Sequence, residues 1–241
     1  MRRHDLSAIK IVSALLSLFA ACLTCAAQTT TVDIKDVSTV KCPIRVSGTV
    51  GLTESEANGE GRTTFVSHLS ATNLSNQPII AMVIYTSIGN SEGPLVGQNQ
   101  VLDAFFAHDL EVAPGQTWNH QHDDDGVFSG PVSPGAVKIA PAASSQIVFV
   151  QFADGSTCGD SKDGRVQSLM DTRADLLVGL KKIDDAAKVD EPTFLKALAE
   201  KATTKNAEGI FSYIRDIQKG KGSPAAIAYI RSMLNVAASR Y

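Results

Sequence analysis

Asn76-Gln77-Pro78-Ile79-Ile80-Ala81-Met82-Val83-Ile84-Tyr85, residues 76–85, decides how most of the chain is read. Asn and Pro ahead of an apolar run fix a bend, because proline presets φ and lacks a backbone donor. A strand over residues 79–88 follows. Working outward, residues 43–50, 63–72, 100–112, 116–122, 136–139 and 146–152 repeat the pattern, with Val, Ile, Thr and Phe broken by Gly, Pro, Asn and Ser. Pro114-Gly115 and Asp154-Gly155 supply further turns with a mechanism, a preset φ or a residue tolerant of positive φ. Seven short strands with no helical crossover between them predict an antiparallel sandwich over residues 28–159.

The pattern changes near Asp160. Beyond it Leu, Ala, Lys and Ile recur at helical spacing, which predicts a helical region over 160–241. In the first helix Val166, Leu169, Met170, Leu177 and Leu180 share a face, with Leu176 and Ile183 at its margin. Asp190 before Glu191-Pro192 caps a short helix carrying Leu195, Leu198 and Ala202 inward. Asn206 is the expected cap of a third, bearing Ile210, Phe211, Ile214 and Ile217, which ends at Gly220 and Gly222. Ser223-Pro224 opens the last, with Ile227, Ile230, Leu234 and Ala237 on one stripe. The predicted fold class is therefore mainly β with an α tail.

Residues 1–27 read as an export signal. Arg2, Arg3 and Lys10 precede 17 uncharged residues that end in Cys25, Ala26 and Ala27. A membrane anchor is the competing reading, but Thr24, Cys25 and Ala26 are poor residues for a stable span. Phe19-Ala20-Ala21-Cys22 is an imperfect lipoprotein box, so anchoring through Cys22 is the alternative to a secreted or periplasmic chain. Asp5 disfavours a twin-arginine signal at Arg2-Arg3. Removing the segment leaves two cysteines, Cys42 and Cys158, an even pair that an oxidising compartment would join. It also moves the formal charge from −3 to −5, which disfavours nucleic acid as a partner. The charge is unequally shared: residues 28–159 carry five basic and thirteen acidic side chains, residues 160–241 fourteen and eleven. That complementarity fits docking of the tail on the β region and equally two solvated surfaces, since exposed pairs add little each.

The sharpest constellation is Trp118-Asn119-His120-Gln121-His122-Asp123-Asp124-Asp125-Gly126. Period 2 puts Trp118, His120 and His122 on one strand face, where two imidazoles and the carboxylate of Asp124 suit a transition metal. The same letters also describe a polar strand end running into an acidic turn: HExxH and the spaced carboxylates of a calcium loop are both missing. His68 and His108 read as structural residues with local hydrogen bonds. Neither cysteine lies in CxxC, and no GxSxG or phosphate-cradling loop occurs. One Trp and four Tyr make a thin platform for sugar stacking, since Tyr229 and Tyr241 lie in the last helix. Asn73-Leu74-Ser75 is a glycosylation sequon in a eukaryotic secretory pathway.

Ala71-Thr72-Asn73-Leu74-Ser75-Asn76-Gln77-Pro78-Ile79-Ile80-Ala81, followed by Val112-Ala113-Pro114-Gly115 and Phe152-Ala153-Asp154-Gly155, resembles exported bacterial immunoglobulin-like β-sandwich modules. An Asn-x-Ser-x-x-Pro-Ile strand pair and a Pro-Gly turn recur in them. The resemblance covers roughly half the chain and marks turns rather than a site. It implies an immunoglobulin-like sandwich and an envelope location. No tandem repeat follows, and the helical tail departs from that pattern. The expected role is a non-enzymatic binding or structural module with a protein partner in the envelope or extracellular space, without a cofactor. The alternatives are a metal-dependent hydrolase using His120 and His122, and a carbohydrate-binding module presenting Trp118.

Overall fold

A computed structural model describes residues 28–57, 60–90, 93–124, 130–131 and 142–240. The expected signal over 1–27, with Cys22, and the expected strand over 136–139 lie outside them. Among the described residues nine strands form one sheet: β1 Gln28–Asp36, β2 Ile44–Ala57, β3 Glu60–Asn73, β4 Ile79–Asn90, β5 Gly93–Asp103, β6 Thr117–Asp124, β7 Gly130–Pro131, β8 Ala142–Phe152 and β9 Thr157–Gly159. Their order is β5-β4-β8-β1-β2-β3-β6, with β7 added to β3 and β9 to β8.

This corrects the antiparallel immunoglobulin-like sandwich. The strand that overturns it is β1, unread in the sequence. Its first part, through Asp33↔Thr49, pairs antiparallel with β2. Its last part, Ile34↔Ala143 to Asp36↔Ser145, pairs parallel with β8. One strand thus belongs to both walls and joins them into a mixed, nearly closed, barrel-like sheet. Side chains from both walls fill its interior: Ile34, Val46, Val50 and Leu69 from one, Met82, Ile84, Ile147 and Val150 from the other.

β4 is buried on both faces, which is why residues 79–84 are apolar without alternation. Met82, Ile84 and Ile88 point into the barrel. Ala81 and Val83 point outward, where Val166 and Leu169 of α1 (Gly164–Ala187) cover them. The registers of β4 and β8 shift twice, after Ile79 and after Val83. At the second shift Val148 and Phe149 both face α1, as a bulge requires.

The expected strand over 100–112 ends at Asp103. The carboxylate of Asp103 accepts the Phe105 amide at 3.0 Å and turns the chain. Phe105 and Phe106 then enter the helical core, and His108–Leu110 forms a 3₁₀ turn. Only Val112 returns to the sheet, bridging Ile79.

The tail is α1, α2 (Glu191–Ala199), α3 (Lys205–Lys221) and α4 (Ser223–Ala238). Asp190 caps α2 as expected, accepting from the Thr193 amide at 2.8 Å. Thr204 rather than Asn206 caps α3, through its hydroxyl and the Ala207 amide. The buried stripes are rotated from the expected ones. Leu176 and Ile183 are buried centrally while Leu177 is marginal, and Phe194 and Ala197 replace Leu195 beside Leu198. Phe211 and Ile214 of α3 pack on Ala226, Ile230 and Met233 of α4. Ile80, Phe105 and Phe106 belong to the same cluster, so the tail and barrel share apolar core.

Two arginines fasten the tail electrostatically. Arg173 of α1, 6 % exposed, donates to Asp103 at 2.7 Å and to the Gln151 side chain at 2.7 Å, and lies 4.5 Å above the Phe105 ring. Arg240 reaches back to Glu111 and His108. Burial alone would raise the Glu111 carboxyl, but hydrogen bonds from His108 and Arg240 hold it below its ordinary value.

Candidate functional site

β6 forms one end of the sheet order, paired only with β3 among the described residues. Trp118 stands opposite Ala71 and His120 opposite Leu69, and both partners are buried in the barrel core. His122 stands opposite Ser67 on that same face. The other face carries a polar ladder: Thr117 with Thr72 at 2.9 Å and Asn119 with Ser70 at 2.8 Å. Trp118 and His120 therefore stand on the interior-facing side of β6.

Trp118 is half-buried against the core and stacked on His120 with ring centroids 5.1 Å apart. The side chains of His122 and Asp124 lie outside the described residues, as does all of Asp125. Among the described residues no group of three His, Cys, Asp or Glu side chains converges on a metal position. His108 is exposed on the 3₁₀ turn and bonded to Glu111, and His68 is exposed on the outer face.

Asn73, the sequon asparagine, is fully buried. Its amide nitrogen donates to the Gln77 and Val112 carbonyls, both at 2.8 Å. Its oxygen accepts from the Ser75 amide at 2.9 Å and hydroxyl at 2.7 Å. All of its hydrogen-bonding capacity holds the β3–β4 turn onto the chain entering β6, so the folded protein presents no carboxamide there for a glycan. This role leaves a sequence trace only as an Asn-x-Ser turn.

Cys42 and Cys158 are joined, their Cα atoms 5.7 Å apart. The bridge ties the segment before β2 to β9. Among the described residues no helix is long and apolar enough to cross a membrane. The bridge is compatible with an extracellular or periplasmic location.

A shallow open cleft of about 480 Å³ lies between the first turns of α1 and α3, lined by Gln167, Ser168, Asp171, Thr172, Thr204 and Lys205. Asp175 already accepts the Thr204 amide there at 2.7 Å, so acid and capped backbone face each other. At the far side of the tail, Tyr213 and Tyr229 are exposed and meet edge to face at 5.6 Å. Burial raises the Tyr229 phenol above its ordinary value, and the charges of Tyr213 and Asp109 add to the effect.

Comparison with protein-family models, with curated proteins and with solved structures found no match for this chain.

Proposed function

We propose that the chain is an exported, non-enzymatic binding module whose partner is another protein of the envelope or extracellular space. The observation that carries this reading is the exposed pair Tyr213 and Tyr229 on α3 and α4. Tyrosine supplies a large apolar face, a polar tip and little rotamer entropy, the chemistry of interface anchors. The α3–α4 pair is a firm platform: Phe211, Ile214 and Ile230 beneath it are buried, so a partner need not order the helices on binding.

The test is crosslinking of the full chain to envelope or culture proteins, beside a Tyr213→Ser/Tyr229→Ser variant that leaves the buried stripe intact. A partner retained by the wild type and lost by the variant supports the proposal. Identical recovery from both defeats it, as does hydrolytic turnover with metal lost on His122→Ala.

A further inference from the structure

We draw no further inference here: the strongest candidate, the open cleft between the first turns of α1 and α3 lined by Asp171 and Lys205, rests on a helix N-terminus and exposed charges with no second observation that points to a ligand.

Discussion

Replacing Asn73 tests whether one buried carboxamide organises the β3–β4 turn. Asn73→Ala removes two donated and two accepted hydrogen bonds. The losses are unequal. Val112 carbonyl keeps the Ile79 amide at 3.0 Å, and Gln77 carbonyl keeps the Ser75 hydroxyl at 2.7 Å. The Ser75 amide loses its bond outright. Two net hydrogen bonds at about 1 kcal/mol each and one orphaned donor at about 1–2 kcal/mol give about 3–4 kcal/mol. Urea unfolding followed through the fluorescence of Trp118, half-buried and the chain's one tryptophan, measures this at pH 7.

Asn73→Asp sharpens the test. It keeps the acceptor for Ser75 but turns a carboxylate oxygen toward two carbonyls, so at neutral pH it is expected to be the worse substitution. Burial and those carbonyls raise the introduced carboxyl's pKa in the folded state. The variant's stability deficit is therefore smallest below the unfolded-state carboxyl value and grows as pH rises through it. The reasoning is refuted if Asn73→Ala costs under about 1 kcal/mol, or if Asn73→Asp is no worse than Asn73→Ala at pH 7.

Arg173→Met should cost about 3 kcal/mol by leaving Asp103 facing the tail unpaired; a double-mutant cycle with Asp103→Asn should recover part of it, and strict additivity would dissociate the pair from docking. Cys42→Ser/Cys158→Ser opens a loop with a sequence separation of 116 residues, worth at most about 5 kcal/mol by chain entropy, read as a lower urea midpoint than that of the oxidised protein. Because Glu111 is held below its ordinary value, its contribution is present above the unfolded-state pKa and lost as pH falls through the folded one; Glu111→Gln should flatten that acid limb of the stability profile, and an unchanged limb would count against the Arg240 clasp. Gly159→Ala puts a Cβ 2.2 Å from the Val148 carbonyl at φ +106, and should cost at least about 2 kcal/mol and loosen β9, seen as faster amide exchange there.

Strand and helix locations were legible because turns and apolar periodicity are local signals. Residues 79–85, the Asp190 cap and the Ser223-Pro224 start all stand where their chemistry put them. β1 was not legible: Gln28-Thr29-Thr30-Thr31-Val32-Asp33-Ile34-Lys35-Asp36 has only two apolar residues, and its parallel partner β8 is remote. Sandwich and barrel differ in that pairing, which leaves no local pattern. Residues 100–112 misled because apolar alternation continues past Asp103, whose side chain turns the chain instead. The rotated helix stripes have a similar origin: Leu176 and Leu177 are equally apolar, and the barrel wall chooses between them. Among the site residues, period 2 located the inward face of β6, while the buried role of Asn73 reads only as an Asn-x-Ser turn.

The double allegiance of β1 also has a consequence in time. Its last residues pair with β8, more than a hundred positions later, so the two walls cannot be joined until nearly all of the β region is available. Every other long ladder except β4–β8 and β3–β6 closes between neighbours in sequence and can form early. Contacts of such separation carry a large loop-closure cost before they return any stability, and slow the approach to the native state. A chain built this way passes through an interval in which β8 has an uncovered edge toward β1. Partners present during that interval meet a different surface from the one the finished barrel offers.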